Sequence, residues 1–409
     1  MTGQWLVGAR LVDGTGADPV DGKDLQVVDG RIAALGSAPA GVDAVDLSGF
    51  TITPGLIDAH VHLGIASPMN DLIAHRLSVA EIAADMFNNA AQTLDAGYTT
   101  VRDCGGIDGG LPTAIARGKV RGPRVLQCGP IQCQTGGHGH LAADWEPTDL
   151  WELHHVPGLC SLAFLSDGAD EMRKNVRESF RRGADFIKLC VSGGVVSSHD
   201  KVTDTQLTGE EIAAAVQEAE ARGTYVTVHS HNKASVRTAV QAGVKCIEHG
   251  SEIDEETAAL LAAHGVAHVP TLTVVEQLLR SIETVGLPPH IRDRALLVRQ
   301  GQLDGFRASR AAGVKVGLGS DLIGPDQTGR SEELLIRAEL ETPMDALVAA
   351  TRTNSEILRI SHETGTLEVG KLADLVAWRT DPLENPKTFT EREQAALVLK
   401  AGDVVKDVR

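Results

Sequence analysis

Short apolar runs and amphipathic stretches alternate through the middle of the chain. Eight runs rich in Val, Ile, Leu and Cys lack the strict polar alternation of a half-exposed strand, which predicts strands buried on both faces. We expect these strands at residues 55–62, 99–104, 124–128, 186–191, 225–229, 246–249, 267–272 and 315–319.

Helical patterns separate most of these runs, at residues 80–96, 171–182, 210–222, 235–242 and 255–263. Eight strands with helical crossovers predict an α/β fold, a closed parallel (β/α)8 TIM barrel. An open doubly wound sheet is the alternative, but no Gly-rich phosphate-binding loop follows any of the strands.

The two ends of the chain have a different pattern, that of short strands and tight turns. Residues 25–35 predict a hairpin with an Asp-Gly turn at 29–30, and residues 375–405 repeat this pattern with a turn at 402–403. We expect both ends to form one small β-sandwich. The predicted domains are therefore 1–54 and 365–409 for the sandwich and 55–364 for the barrel.

Composition and charge limit the classes of partner. The formal net charge of −17 argues against nucleic acid and anionic membranes, since both require clustered Lys and Arg. No stretch approaches the roughly 20 apolar residues of a membrane span. The six cysteines form no CxxC pair or disulfide framework, so a reducing cytoplasm is expected. A small molecule is the expected partner.

Polar residues that can bind metals lie at the ends of the predicted strands. In a barrel of this type, the carboxyl ends of the strands meet at one face and form the active site. Residues far apart in the chain would therefore converge. They are His60, His62, Lys188, His229, His249 and Asp321.

His60 and His62 flank Val61 at the end of the first strand. Residues i and i+2 of a strand face the same side, so both imidazoles can reach one metal ion. The alternative is that one or both are ordinary polar residues at a strand end.

The string Pro-Gly-Leu-Ile-Asp-Ala-His-Val-His at residues 54–62 resembles the first-strand signature of the amidohydrolase superfamily. Residues 247–250, 319–321 and 365–376 resemble its sixth-strand, eighth-strand and barrel-to-sandwich segments. Residues 186–194, Phe-Ile-Lys-Leu-Cys-Val-Ser-Gly-Gly, are similar to the prolidase-like subgroup of Xaa-dipeptidases, carboxypeptidases and N-acyl-amino-acid hydrolases such as ochratoxin hydrolases.

In that subgroup the strand-four lysine is carboxylated and bridges two metals, which implies this role for Lys188. Its apolar surroundings agree, because burial lowers the pKa of a lysine and a neutral amine can take up carbon dioxide. The alternative for Lys188 is an ion pair with a carboxylate of the barrel.

The resemblance further implies that His60, His62 and Asp321 hold one divalent metal, and that His229, His249 and the carbamate hold the other. Zinc suits these ligands, although manganese, cobalt or iron would also fit. A hydroxide shared by the two metals would attack an amide carbonyl, with Asp321 as the catalytic proton shuttle.

Two further histidines are substrate-binding candidates. His138 lies in a Gly-Gly-His-Gly segment that resembles one in the prolidase-like group, and His231 lies two positions beyond His229. Members of the subgroup often have Tyr at the latter position, so the His puts their carboxylate specificity in doubt. The subgroup also implies a homo-oligomer.

The predicted function is hydrolysis of a C–N amide bond, in a dipeptide or an N-acyl amino acid. Alternatives are a carbamate, urea or cyclic-amide hydrolase, a mononuclear-zinc deaminase and a non-catalytic binding protein. Deaminases usually carry a Glu near the fifth-strand histidine, and none lies between His229 and Cys246. The irregular segment 132–170 predicts an active-site loop, and Arg102 with Asp103 predicts an ion pair.

Overall fold

The computed structural model describes residues 3–143, 145–197, 199–285 and 289–409. Its β-strands are β1 Gln4–Val7, β2 Arg10–Leu11, β3 Val20–Asp21, β4 Asp24–Val28, β5 Arg31–Gly36, β6 Ala44–Asp46, β7 Thr51–Pro54, β8 Leu56–Val61, β9 Tyr98–Asp103, β10 Arg124–Gln127, β11 Ile131–Cys133, β12 Ala163–Leu165, β13 Ile187–Cys190, β14 Val226–Ser230, β15 Cys246–His249, β16 Ala267–Val269, β17 Leu375–Trp378, β18 Ala395–Lys400 and β19 Asp403–Asp407.

The α-helices are α1 Met69–Ile73, α2 Val79–Asp95, α3 Gly110–Ala116, α4 Ala169–Arg181, α5 Gly209–Glu220, α6 Lys233–Gln241, α7 Glu255–His264, α8 Leu272–Val285, α9 Pro289–Ala311, α10 Glu332–Leu340, α11 Pro343–Val348 and α12 Asn354–Ile357. A π-helical turn, Ala349–Thr353, joins the last two. Short 3₁₀ helices lie at Thr148–His154, Thr328–Ser331 and Pro386–Thr390.

Parallel strands form the centre of the molecule. One sheet has the order β10-β9-β8 and another the order β12-β11-β13-β14-β15-β16, and all neighbouring strands in both are parallel. Helices connect most of them, and every residue of β8, β9, β13, β14 and β15 is buried. The predicted α/β fold is confirmed.

Backbone hydrogen bonds link the two parallel sheets on both sides. The amide of Ala59 in β8 donates to the carbonyl of Leu318 (2.9 Å), and the amide of Asp185 before β13 donates to the carbonyl of Gln127 in β10 (2.8 Å). The parallel segments therefore follow one another in an order compatible with the predicted barrel.

The helices begin where the sequence provides N-caps. Ser78 and Glu81 form a capping box at the start of α2, and Thr208 with Glu211 forms another at the start of α5. The apolar faces of α4 to α7 pack on β13 to β15 in the largest hydrophobic cluster, which includes Val226. This packing fixes the strands whose carboxyl ends carry the polar residues.

Two predicted strands differ from the structure. The seventh ends at Val269 because Thr271 has a positive φ of 53° and α8 begins at Leu272. In the eighth, Val316 forms an isolated parallel bridge with His268 in place of a continuous ladder. Short apolar runs do not reveal where a ladder stops, because this depends on the neighbouring strand.

The two ends of the chain pair as predicted. β7 pairs antiparallel with β17, within a sheet of order β19-β18-β17-β7-β2-β3, and a second sheet has the order β5-β4-β1-β6. Leu6, Ile52 and Leu397 belong to one buried cluster that draws on both ends. The domain boundaries at 54 and 365 stay a prediction.

The turns of both hairpins have left-handed residues. Asp29 (φ 49°) and Gly30 (φ 78°) form the predicted turn between β4 and β5. The C-terminal turn is wrong by one position, since Ala401 (φ 49°) and Gly402 (φ 78°) turn the chain and Asp403 begins β19. Glycine at the second position satisfies the same backbone requirement in both.

The long segment 132–170 has structure of its own. It contains β12 and the 3₁₀ helix Thr148–His154, and it packs a hydrophobic cluster around Trp151. The Trp151 indole is 2% exposed and donates to the carbonyl of Ala163 (2.8 Å), whereas Trp145 is 85% exposed. Trp151 therefore anchors this segment.

Each of the six cysteines lies in the described part of the chain as a buried free thiol. Within these described residues, the helices lack the combination of length and apolar character needed to cross a membrane.

Trp378 joins the terminal sheet to the parallel strands, and its replacement by Ala should be costly. Its ring is fully buried, packs edge-on against Phe389 at 5.5 Å and donates to Thr53 Oγ1 (2.9 Å). Because a large cavity would form, we expect Trp378→Ala to lower the free energy of unfolding by about 3–5 kcal/mol in urea titrations. Trp145→Ala, at an exposed ring, is the matched control and should change it by less than about 0.5 kcal/mol.

Candidate metal centre

A cavity lies at the carboxyl ends of the parallel strands. The structure brings all six predicted metal ligands and both predicted substrate-binding histidines to its wall. These residues are His60, His62, His138, Lys188, His229, His231, His249 and Asp321.

Asp321 lies at the centre of this set. Its Oδ1 is 3.2 Å from Nε2 of His60 and 3.1 Å from Nε2 of His62, and its Oδ2 is 3.7 Å from Nδ1 of His249. Donor atoms of His60, His249 and Asp321 all lie within 4.8 Å of one another. Two imidazoles and a carboxylate at this spacing fit a divalent cation such as zinc.

Hydrogen bonds orient the histidines of β8. Nδ1 of His60 lies 2.8 Å from Oε2 of Glu248, and Nδ1 of His62 lies 2.7 Å from the carbonyl of Gly105. An acceptor at Nδ1 fixes the tautomer in which Nε2 is free, and here both Nε2 atoms face Asp321.

The other predicted ligands line the same cavity from β13, β14 and β15. The rings of His229 and His249 are 4.5 Å apart, and Lys188 is 2% exposed between these strands and the cavity. Nε2 of His229 lies 3.2 Å from the carbonyl of Gly193, so its Nδ1 is the atom available to a metal.

The electrostatics of the site suit a cation. Burial and the neighbouring imidazoles hold the pKa values of His229 and His249 well below the usual value, so both rings are neutral. Burial alone would raise the pKa of Asp321, but His60 and His62 outweigh it and hold this pKa low. Neutral imidazoles and an ionised carboxylate are the forms that bind metals.

The pKa of Lys188 differs from the prediction. Burial lowers it, but the negative charges that Cys104 and Glu248 can carry outweigh burial, and the net shift is upward. The expectation of a neutral amine considered only the apolar neighbours in the strand and missed the carboxylate of Glu248, which lies on β15, two strands away.

Glu248 is the residue that the sequence interpretation missed. Its Oε1 accepts hydrogen bonds from Arg102 Nη2 (2.6 Å) and from Thr227 Oγ1, while its Oε2 faces His60. All four residues are buried. Arg102 and Glu248 are charged residues inside strands predicted to be buried, which indicates that each needs a partner but not which one.

The predicted ion pair between Arg102 and Asp103 is therefore wrong. Successive residues of a strand face opposite sides, so the two side chains point apart. Asp103 instead accepts hydrogen bonds from the backbone amides of Leu63 (2.7 Å) and Gly105 (3.0 Å) and supports the loop after β8.

The backbone is strained at two predicted ligands. His249 and Asp321 have φ values of 70° and 55°, in the left-handed region that non-glycine residues rarely adopt. Each such residue costs of order 1–3 kcal/mol, and such strain clusters at functional sites. A Cβ at Gly319 would lie 2.7 Å from that of His60, so glycine permits the close approach of the segment that carries Asp321.

His138 and His231 lie beside the ligand set. The His138 ring stacks on that of His229, with the ring centroids 4.2 Å apart. A Cβ atom added at Gly194 would lie only 2.1 Å from the His138 ring. Nδ1 of His231 is 2.7 Å from Oγ of Ser251, and burial lowers the pKa of this histidine to about 3. Both side chains are placed to contact a ligand in the cavity.

A parallel α/β fold with potential metal ligands at its strand ends is the arrangement typical of the amidohydrolase class. Residues 51–405 match the Amidohydrolase family, and the chain belongs to this family.

Known relatives give the same class. Ochratoxinase of Aspergillus niger is 32% identical over 365 residues, which cover 87% of this chain and 75% of that protein. A solved prolidase in complex with N-methylphosphonate-L-proline has 34% identity and a TM-score of 0.93, covering 99% of this chain and 100% of its own. A solved Xaa-Pro dipeptidase with bound methionine has 29% identity and a TM-score of 0.87, covering 98% and 99%. The resemblance to the prolidase-like subgroup is confirmed, and the chain is a hydrolase acting on C–N bonds.

Replacing Glu248 by Gln should weaken metal binding. The substitution keeps the shape of the side chain but removes the negative charge that orients His60 and neutralises Arg102. We expect metal affinity to fall by about 10- to 100-fold, as for other groups that orient metal-binding histidines. Competition with a chromophoric chelator measures this affinity.

Glu252→Gln, at an exposed glutamate beyond the same strand, is the matched control and should leave affinity unchanged. Equal affinities for wild type and Glu248→Gln would show that His60 needs no orienting charge.

Proposed function

We propose that this protein is a binuclear metal hydrolase that cleaves the C–N amide bond of a dipeptide or an N-acyl amino acid. The observation that carries the proposal is the common cavity, in which a buried lysine lies together with four histidines and an aspartate. The similarity to ochratoxinase and to prolidases supports an amide with an amino-acid portion.

In this proposal His60, His62 and Asp321 would hold one divalent cation, and His229 and His249 would hold the other. Lys188, carboxylated on Nζ, would serve as a ligand to both. Zinc is the proposed metal, because imidazole and carboxylate ligands suit it. The low pKa values of His229 and His249 favour the neutral rings that this arrangement requires.

When bound, the two cations supply Lewis acidity that polarises the amide carbonyl and makes a water molecule acidic. Asp321 takes up a proton during the attack and passes it to the leaving nitrogen. Its two oxygens already face different histidines, so it can keep one contact while it exchanges a proton at the other. His138 and His231 orient the substrate from the cavity wall.

Other substrates would use the same metals. A carbamate, urea or cyclic amide differs from the proposed substrate only in the groups that flank the carbonyl. A mononuclear-zinc deaminase would have no use for a bridging Lys188, and this difference can be measured. A homo-oligomer in the cytoplasm, with no nucleic-acid or membrane partner, remains the expectation from the sequence.

Lys188→Ala should lower the metal content. Protein purified without added metal should contain about two metal ions per chain, and the variant clearly fewer, because the shared ligand is lost. Elemental analysis measures the content, and hydrolysis of N-acyl amino acids is followed in parallel. Lys201→Ala, at an exposed lysine after the same strand, is the control. About one metal ion in both wild type and Lys188→Ala would favour the deaminase.

Asp321→Asn should nearly abolish hydrolysis. The amide cannot take up the proton, and general acid–base catalysis typically contributes about 10²- to 10⁴-fold to the rate. We expect kcat to fall by a factor in this range, measured at saturating metal so that weaker binding is compensated. Asp326→Asn, at an exposed aspartate of the same loop, should retain full activity. A variant Asp321→Asn with normal kcat would remove this residue from the mechanism.

A further inference from the structure

Two helices that the sequence interpretation did not predict form one wall of the cavity. α8 and α9 follow β16 and pack against each other over the carboxyl ends of the strands. Val274, Val275 and Leu278 of α8 and Val298 of α9 line the cavity, together with Val195, which belongs to the same hydrophobic cluster. This wall offers an aliphatic surface to any bound molecule.

Gln302 of α9 is a polar exception on this wall. Its side chain is 1% exposed and lines the cavity. Its Nε2 donates to the carbonyl of Pro270 (2.8 Å) and lies 3.4 Å from Oγ1 of Thr271. These contacts identify the nitrogen as the donor end of the amide. Oε1 is therefore the acceptor end, which these contacts do not use.

Oε1 of Gln302 is buried and has no hydrogen-bond partner among the residues that the structure describes. A buried acceptor without a partner costs about 1–3 kcal/mol relative to a satisfied one. Such atoms are rare in native proteins, and a group that contacts ligand is one explanation for them. The free acceptor in the cavity wall therefore points to a donor on the bound molecule.

The donor end of the Gln302 amide lies close to a predicted metal ligand. Oγ1 of Thr271, which contacts Gln302, is 2.8 Å from Nδ1 of His249. Gln302 and His249 are thus separated by a single hydroxyl group. A molecule that reaches the metal centre along the aliphatic wall passes Gln302.

The charges of the cavity wall determine which donor fits. Among the described lining residues, Asp321 is the only acid and Lys188 the only Lys or Arg. In the proposed function both are used by the metal centre. A buried ammonium group would have no counter-charge at Gln302, whereas an uncharged N–H would be satisfied by one hydrogen bond.

We propose that Gln302 is a substrate-binding residue whose Oε1 accepts a hydrogen bond from the amide N–H of an N-acylated amino acid. The hydrophobic part of the substrate packs on Val274, Val275, Leu278 and Val298. This inference rests on the proposed function and restricts the class of substrate. The preferred substrate is a secondary amide with apolar groups, in preference to a tertiary proline amide or a dipeptide with a free ammonium group.

The test compares N-hexanoyl-L-leucine with its N-methyl analogue, in which a methyl group replaces the amide hydrogen. The ratio of their kcat/KM values is measured on the metal-loaded full chain for wild type, Gln302→Met and Gln300→Met. Gln300 is an exposed residue of the same helix and is the matched control. Binding of N-pentylsulfonyl-L-leucine, which keeps the N–H but has no amide carbonyl to be hydrolysed, is measured by calorimetry on each protein.

We expect wild type to prefer the secondary amide. The ratio of the two kcat/KM values should be about tenfold smaller for Gln302→Met, which corresponds to the loss of one net hydrogen bond. Gln300→Met should retain the full preference. Calorimetry should show about tenfold weaker binding to Gln302→Met alone. Normal hydrolysis with the same preference in all three proteins overturns the role of Gln302 and leaves the proposed function intact.

A second variant covers the case in which Gln302→Met does not fold. Gln302→Asn keeps an uncharged amide but shortens the side chain by one methylene group, which withdraws the acceptor, and it should also lose the preference for N-hexanoyl-L-leucine over its N-methyl analogue. An unchanged preference in this variant overturns the assignment. If metal-loaded wild type hydrolyses no amide of the panel, the proposed function fails and the role of Gln302 fails with it.

Discussion

The carboxylate of Glu248 connects the strands beneath the predicted metal ligands. It receives hydrogen bonds from side chains of three other strands, namely His60 of β8, Arg102 of β9 and Thr227 of β14. Burying a charge is costly unless it is paired and hydrogen-bonded, and both oxygens of this carboxylate have partners. The strand ends are thereby fixed relative to one another, and His60 is oriented before any metal binds.

This arrangement also explains the limits of local reasoning about Lys188. The lysine is as buried as its apolar neighbours predict, yet its pKa rises because the negative charges that Cys104 and Glu248 can carry outweigh burial. The neighbours of a residue in the sequence indicate well whether its side chain is buried, since burial follows from the composition of the strand. They do not indicate which charged groups surround the side chain, since Glu248 lies two strands away from Lys188.

Much of the fold could be predicted because buried parallel strands have a distinctive composition. The histidines at 60, 62, 229 and 249 could be predicted as site residues because they lie at the ends of predicted strands. The structure places all four together. Features that depend on tertiary contacts could not be predicted. The pairing of Arg102 with Glu248, the exact turn at Ala401 and the helices α8 and α9 each depend on what packs opposite.

The pairing of β7 with β17 affects the order in which the molecule can assemble. β7 precedes nearly all of the parallel strands and β17 follows them, so the two partners are synthesised at opposite ends of translation. Until β17 emerges from the ribosome, one edge of β7 has unpaired amides and carbonyls, and such an edge can join other chains. A chain truncated before residue 375 would expose this edge permanently, which would mark it for chaperones and proteases.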